Sequence, residues 1–202
     1  MSRRVRMLKP ALDHVSQLLN RNPNDPELEV MRSRCYFSAA SDKAVDHAYK
    51  LIGYDAVADG FDSSKAIASS DPVVYSNLAH VLRRDKAEPE LAEKMINQMV
   101  EANPDSGEAL LARGQYFERL KREDEALADV QAALKVDPDN PSIVTANARL
   151  AANDERYDEA AKLLTDALEK NPAEPALYQT LADIAIRRDE YDEAIAICDR
   201  GI

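Results

Sequence analysis

Residues 107–140 read GEALLARGQYFERLKREDEALADVQAALKVDPDN, and this stretch decides the fold. In its second half, four apolar residues are spaced as i, i+4, i+7 and i+8 and so share one face of a helix: Ala126, Val130, Ala133 and Leu134. Asp124 and Glu125 stand at the start of this helix, where the positive end of the helix dipole stabilises carboxylates. Pro138 ends the helix. The stretch as a whole predicts a helical hairpin with one apolar face.

The same arrangement returns with a period of 34 residues. An alanine near the start of the second helix recurs at this spacing in four places: Ala92, Ala126, Ala160 and Ala194. Closing prolines follow the same period at Pro104, Pro138 and Pro172. A single helical hairpin buries too little apolar surface to fold alone, so the repeats must stack on one another. The period therefore predicts an all-α fold built from stacked helical hairpins.

A 34-residue helical hairpin with these positions resembles the tetratricopeptide repeat. The unit that begins at Gly107 carries that family's pattern on both helices: Leu110, Gly114, Phe117, Ala126, Val130 and Pro138. The resemblance implies a right-handed superhelical solenoid of about five antiparallel helix hairpins, working as a protein–protein interaction scaffold. Two first helices depart from the pattern, because Arg113 and Asn147 stand where Leu is usual. We expect those hairpins to pack more loosely or to direct a polar group to solvent.

The sequence predicts one array over residues 1–202. Its segments are a half repeat at 1–24, a degenerate repeat at 25–55, an insertion at 56–71, repeats at 72–106, 107–140 and 141–174, and a truncated repeat at 175–202. The insertion is rich in Gly, Ser and Asp, which predicts a loop with one short helical turn, either functional or simply tolerated. Both ends interrupt the repeat pattern. We therefore expect a piece of a longer array, or ends that another molecule covers.

Charge and motifs limit the functions that the chain can have. Its net charge of −11 and pI of about 4.8 do not favour nucleic acid or anionic lipid as a partner. The absence of an 18-residue apolar run and of a secretory signal predicts a cytoplasmic protein that does not enter a membrane. No phosphate loop, HExxH, GxSxG or CxxC motif occurs, so we predict neither an enzyme nor a cofactor. A solvated helix end, rather than a nucleic-acid contact, is predicted for the basic first residues, MSRRVR.

The histidines and cysteines do not suggest a chemical site. His14, His47 and His80 fall in successive hairpins, which helix packing holds roughly 10 Å apart, so we expect no metal site. Cys35 and Cys198 fall at apolar repeat positions, which predicts buried packing rather than nucleophilic chemistry.

The resemblance also implies a partner-binding surface. In the family, positions 2, 5, 9, 12 and 13 of each first helix line a concave groove that holds a partner's peptide or helix. In this chain those positions carry six Arg and four acidic residues, a net of +2 in a chain of −11. We predict that this basic groove binds an acidic or C-terminal carboxylate segment, because Arg forms paired bonds with carboxylates. The alternative is that these Arg pair with neighbouring Asp and Glu. The candidate residues are Arg34, Asn77, His80, Arg83, Arg84, Gln115, Arg119, Arg149 and Arg187.

One subclass of the family grips chaperone C-terminal tails with a Lys/Asn/Lys/Arg carboxylate clamp. Asn77 matches the middle Asn of that clamp. Val30 and Arg34 precede it, and Glu108 and Ala112 follow it, where the clamp needs Lys, Asn, Lys and Arg. The sequence therefore excludes chaperone tails as the partner of these hairpins.

Two other functions stay open from the sequence. Open repeat ends would let the chain assemble into homo-oligomers through those ends. The chain could also be a regulatory segment of a larger enzyme.

Overall fold

The structure of the protein is a computed structural model that describes residues 3–68 and 70–201. Over this part the chain forms eleven α-helices and one pair of two-residue strands, which confirms the predicted all-α fold. The predictions for Ile202, for Ser69 and for the side chains of the N-terminal arginine cluster lie outside the described part. Among the described residues, no helix is both long and apolar enough to cross a membrane.

The chain divides into two compact units, Met1–Pro104 and Asp105–Ile202. The helices of the first unit are α1 Arg3–Arg21, α2 Pro26–Ser38, α3 Lys43–Ile52, α4 Pro72–Asp85 and α5 Pro89–Ala102. Those of the second unit are α6 Gly107–Arg119, α7 Glu123–Val136, α8 Pro141–Asn153, α9 Tyr157–Lys170, α10 Pro175–Arg187 and α11 Tyr191–Arg200. Even-numbered helices are the first helices of the repeats, and odd-numbered helices are the second helices.

Local sequence explains where the helices begin and end. Asp25, Asp71 and Asn140 each accept a backbone N–H of the following turn, and each is followed by Pro at the first helical position. Within the repeats, the turn between first and second helices uses a left-handed residue, at Lys121, Glu155 and Asp189. These three positions are 34 residues apart and share a φ of 61°. The period of the sequence is therefore also a period of backbone conformation.

The second unit is a stack of helical hairpins. The first helix α8 packs against both neighbouring second helices, α7 and α9, and against the first helices α6 and α10. Within the hairpin α6–α7, a small residue allows close packing, because a Cβ added at Gly114 would lie 3.2 Å from the Ala126 carbonyl oxygen and 3.2 Å from Val130. In the hairpin α6–α7, three of the four residues of the predicted apolar face are buried, Ala126, Val130 and Ala133, and Leu134 is half-buried.

In the first unit, the insertion after α3 is an ordered module and not the predicted loop. The strands β1 Tyr54–Asp55 and β2 Gly60–Phe61 form a small antiparallel β-hairpin. A short 3-10 turn follows at Ser63–Lys65, where the sequence predicts one helical turn. The rings of Tyr54 and Phe61 lie 5.1 Å apart, and the N–H groups of Ile67 and Ala68 donate to the carbonyl of Leu51. Aromatic packing and these backbone bonds order a segment whose composition alone indicates a loop.

Arg113 does not loosen its hairpin or point to solvent. Its guanidinium donates to both carboxylate oxygens of Asp129 on α7, at 2.8 and 2.7 Å. Asp129 is buried, with its side chain 8% exposed. The Leu expected on α6 is therefore replaced by an ion pair with a buried carboxylate and a half-buried guanidinium. The prediction for this hairpin was wrong because the partner lies on the facing helix. Asn147, the other departure from the pattern, is half-buried on α8.

The prediction of buried cysteines was also wrong. Cys198 is exposed on α11, and Cys35 is half-buried on α2. Leu164, the repeat equivalent of Cys198, is fully buried in a cluster with Leu177 and Ile184 of the next first helix, α10. Leu164 is therefore buried because the following first helix packs over it.

A buried polar cluster joins α2 to α3 in the first unit. The buried carboxylate of Glu29 contacts the guanidinium of Arg32. His47 places its Nε2 atom 3.3 Å from the Glu29 carbonyl oxygen, and its ring meets Tyr36 edge-on. Burial lowers the pKa of His47; the charges of Arg32 and Lys50 act in the same direction. The hydrogen bond and charge of Glu29 oppose this shift but do not cancel it. The folded state therefore favours neutral His47.

We expect the first unit to become less stable as the pH falls below about 6.5, the ordinary pKa of His. The folded pKa of His47 lies below that value, so the unfolded state takes up the proton first. The contribution of His47 is complete above the unfolded pKa and is lost as the pH falls toward the folded pKa, by at most about 1.4 kcal/mol per pH unit. Urea unfolding between about pH 7 and about pH 5 measures it. His47→Gln should flatten the dependence, and an unchanged slope in this variant would contradict the assignment.

Candidate functional site

The predicted partner-binding positions of the first unit lie on α2 and α4, which pack against each other. Arg34 is exposed on α2 and forms no ion pair among the described residues. On α4, Arg84 is exposed, donates to both carboxylate oxygens of Asp85 at 2.6 and 2.8 Å, and places Nη1 3.2 Å from His80 Nε2. Arg83 donates to the carbonyl of Pro89 at 3.4 Å. Arg84 therefore pairs with a neighbouring acid, which is the alternative to partner binding that the sequence left open.

Asn77 and Gln115 are half-buried, on α4 and α6 respectively. Within the second unit, Arg149 of α8 donates to Glu118 of α6 through two bonds, at 3.1 and 2.7 Å. Arg187 of α10 donates to the amide oxygen of Asn153 on α8, at 2.9 Å.

These two contacts link successive first helices. The predicted partner-binding positions of α6, α8 and α10 therefore share one face of the second unit. Arg149 is engaged there with an acid, as the alternative reading expects. Arg119 is exposed on the same set of positions and forms no ion pair among the described residues. The face of the second unit is therefore internally paired over much of its length.

The two units differ in the charge that they carry at the predicted partner-binding positions and as a whole. At the predicted partner-binding positions, α2 and α4 carry three Arg and one acid, whereas α6, α8 and α10 carry three Arg and three acids. The predicted net of +2 therefore belongs entirely to the first unit. Residues 1–104 hold 14 Lys and Arg against 15 Asp and Glu, and residues 105–202 hold 12 against 22. The first unit is thus nearly neutral, at a net of −1, whereas the second carries −10 and would repel an acidic segment.

An open cleft of about 550 Å³ lies on the predicted face of the first unit. We call it the α2 cleft; its lining comes from α2 and from the end of the insertion: Pro26, Glu27, Val30, Met31, Arg34, Ile67, Ala68, Ser70, Asp71 and Pro72. Three of these, Glu27, Val30 and Arg34, are predicted partner-binding positions. Met31 is an apolar side chain that is 50% exposed in the cleft.

One residue of the sequence could have indicated this cleft, because it departs from the repeat pattern. Met31 occupies position 6 of its first helix. The other four first helices have small or polar residues at this position: Asn77, Ala112, Ala146 and Thr180. The opposite wall could not be found in the same way, because Ile67 and Ala68 reach it only through the ordered insertion.

Among the described residues, no group of three or more His, Cys, Asp and Glu side chains is arranged to hold a metal ion. The pronounced pKa shifts belong to tyrosines in packed surroundings. Burial raises the pKa of Tyr75 to about 12 and, together with the charges of Glu88 and Asp46, that of Tyr49 to about 12. Such shifts keep a phenol neutral and give it no acid–base role near neutral pH.

Two family models, both described as tetratricopeptide repeat, match residues 81–141 and 151–202, together more than half of the chain. No curated protein matches the sequence. Among solved structures, the chain is similar to yeast Tom70 at 18% identity and a TM-score of 0.66, over 98% of this chain and 39% of that one.

A tetratricopeptide repeat protein from Parabacteroides merdae is similar at 19% identity and a TM-score of 0.64, over 96% and 72% of the two chains. A structure of MamA AMB-1 is similar at 18% identity and a TM-score of 0.53, over 87% and 94%. Likeness at this level of identity shows the fold alone.

Proposed function

This chain belongs to the tetratricopeptide repeat family, and from that premise we propose that it is a scaffold that holds an acidic segment of a protein partner against the α2–α4 face. The observation that carries the proposal is the position of the charge. The whole positive excess of the predicted partner-binding positions lies on α2 and α4, within a protein of net charge −11. Within about a Debye length of this face, roughly 8 Å at physiological salt, a partner of opposite charge would be attracted to it.

The chemistry of the face supports an acidic partner. Arg34 offers a planar guanidinium group, which binds carboxylates through paired hydrogen bonds. Arg34 has no ion pair to break among the described residues. Arg84 would have to exchange Asp85 for the partner, and because that pair is exposed the exchange costs little. The apolar wall of the α2 cleft lies beside Arg34 and adds contact area for the partner's apolar side chains.

Selection from random displayed peptides tests the proposal without knowledge of the partner. We expect the sequences that the intact protein retains to be enriched in Asp and Glu. The variant Arg34→Glu/Arg83→Glu/Arg84→Glu should lose that enrichment, since it reverses three charges on the face. The matched control Lys9→Glu/Lys43→Glu/Lys50→Glu changes the net charge equally, on exposed positions of α1 and α3. Equal selection by both triple variants would rule out the α2–α4 face as the binding surface.

A second candidate function is assembly through the α10–α11 end. Tyr191 and Ile195 are exposed there, Ile195 by 60%, whereas their repeat equivalents Tyr157 and Ala161 are half-buried. Such an apolar face favours association with another helix. If it joins copies of this chain, light scattering will show a mass that grows with concentration and that Ile195→Lys returns to the monomer. A monomeric mass throughout would exclude this function.

A further inference from the structure

The helix α2 is anchored mainly by buried polar side chains. It buries Glu29, Val30 and Ser33, of which only Val30 is hydrophobic. Each of the other first helices buries at least four hydrophobic side chains. The Oγ atom of Ser33 has no hydrogen-bond partner among the described residues, and a buried polar atom in that state weakens the packing around it. Since burial of apolar surface is the main source of packing stability, α2 is the first helix with the weakest apolar anchor.

The polar side of α2 meets an ionisable side chain of α3. His47 has a side chain that is 9% exposed, and its Nε2 atom lies 3.4 Å from the carboxylate of Glu29 and 3.3 Å from its carbonyl oxygen. The Glu29 side chain is 4% exposed and contacts the guanidinium of Arg32. Glu29 and Arg32 therefore balance each other's charge while His47 is neutral. A proton on His47 would add an unbalanced positive charge to a buried cluster, which is costly.

The groups around His47 favour its neutral form. From α2 the ring faces Glu29, Arg32 and, edge-on, the phenol of Tyr36; its own helix contributes the charge of Lys50. None of the described charges of α4, which also packs against α3, is among those that act on the ring. Burial, with the charges of Arg32 and Lys50, lowers the pKa of His47. A solvated histidine has a pKa of about 6.5, so below that pH protons favour a state in which α2 has left the ring exposed.

The same helix supplies half of the proposed binding surface. Arg34 is exposed on α2, and Met31 lines the α2 cleft beside it. These side chains form one surface with α4 only while α2 is packed in place. A state with α2 detached from α3 therefore lacks the assembled α2–α4 face.

We propose that His47 is a proton-sensitive switch of the binding surface: its protonation releases α2 from α3 and thereby weakens the hold of the α2–α4 face on a partner. This inference rests on the proposed function of that face. One proton is linked to the release, so the ratio of detached to packed α2 rises at most about tenfold for each pH unit below about 6.5. A bound partner in turn disfavours protonation of His47, because the coupling is reciprocal.

Hydrogen exchange at about pH 7 and about pH 5.5, corrected for the intrinsic pH dependence of amide exchange, tests the release of α2. We expect the amides of α2 to lose protection severalfold at the lower pH, and to lose more than those of α4. In His47→Gln they should keep it, because the Gln amide can donate to Glu29 and takes up no proton. His14→Gln is the matched control, since His14 is an exposed histidine on α1; it should behave as the parent protein does.

Two results of this experiment would overturn the switch. The first is an equal loss of α2 protection in His47→Gln and in the parent protein. The second needs no variant: a loss at α2 in the parent protein that is no greater than the loss at α4.

The affinity for an acidic peptide selected at about pH 7 tests the consequence for binding. The parent protein and His14→Gln should bind it severalfold more weakly at about pH 5.5, and His47→Gln should change less. A pH effect that arises from His80 or from the peptide's own carboxylates is common to all three proteins, so the difference between them isolates His47. Binding with the same pH dependence in all three would overturn the switch alone. Absence of binding at about pH 7 would overturn the proposed function, and the switch with it.

Discussion

Replacing Arg113 with Leu is expected to lower the free energy of unfolding of the second unit by about 3 kcal/mol. The change restores the residue that the repeat pattern prefers, yet it leaves the carboxylate of Asp129 buried without its partner. Asp129 accepts two hydrogen bonds from Arg113, at 2.8 and 2.7 Å. A buried charge that loses such a partner costs far more than the new apolar contact gains. Urea unfolding followed by circular dichroism measures the loss.

The double variant Arg113→Leu/Asp129→Met is the control. Leu78 and Met95, the repeat equivalents of Arg113 and Asp129, are both fully buried. The double variant therefore places at these two positions the residues that the chain already buries in another repeat. We expect it to recover most of the stability, since well-packed apolar residues commonly replace a buried ion pair without loss. A single variant as stable as the parent would contradict the buried pair. A double variant no better than the single one would show that packing, not charge, causes the loss.

Gly53→Ala is expected to destabilise the first unit by about 2 kcal/mol or more. Gly53 has a φ of +72°, in the left-handed region that L side chains rarely adopt. An added Cβ would also lie 2.3 Å from the Asp62 carbonyl oxygen and 3.0 Å from the Ala66 Cβ atom. The Asp62 N–H donates to the Gly53 carbonyl. The added Cβ would therefore clash with the residue whose hydrogen bond joins the two ends of the β-hairpin. The insertion must therefore move away from α3.

Thermal unfolding measures the stability change, and hydrogen exchange at Ile67 and Ala68 reports on the insertion itself. Both N–H groups should lose protection in Gly53→Ala, because they donate to Leu51 next to the collision. Gly60→Ala is the matched control within the same β-hairpin. An added Cβ there would meet only the Ala58 carbonyl oxygen, at 3.9 Å. We expect a nearly neutral effect at Gly60, and equal effects at the two glycines would contradict this account of the insertion.

The 34-residue period was sufficient to predict the helical hairpins. It works because each apolar position has a fixed neighbour in the stack, as Ala126 and Ala160 do when both become fully buried. The turn conformation at Lys121, Glu155 and Asp189 follows the same period. The predicted partner-binding residues stay a prediction, since their role depends on a molecule that is not part of this chain.

Other features of the structure depend on contacts between residues, which a pattern of single repeat positions does not describe. The burial of Cys198 required a following first helix, as Leu164 has in α10. The pairing of Arg113 required its facing residue on α7. A comparison of the residues that face each other within one repeat could have found this pair. In the repeat where Arg113 replaces a Leu of the first helix, Asp129 replaces a Met or Leu of the second helix. The insertion offered no such signal, since its order comes from aromatic contacts and from backbone bonds to Leu51.

The division of charge between the units changes how the predicted surface is understood. Counted over the whole chain, six Arg suggested one long basic groove. The structure pairs Arg149 with Glu118 in the second unit, where the partner-binding positions carry no net charge. The positive excess of these positions lies on α2 and α4, at Arg34, Arg83 and Arg84, of which Arg84 is paired with Asp85. The proposed acidic partner therefore needs a site of only two first helices, which a short peptide can cover.

Hydrogen exchange in the presence of a selected acidic peptide tests the central proposal most directly. The α2–α4 face is proposed to hold the peptide, so amides of α2 and α4 should gain protection on binding. Those of the second helices α7 and α9 should stay unchanged. Added salt should weaken the effect, because the attraction between exposed charges is screened. Protection confined to the second helices, or to the second unit, would contradict the proposal that this scaffold binds its partner through α2 and α4.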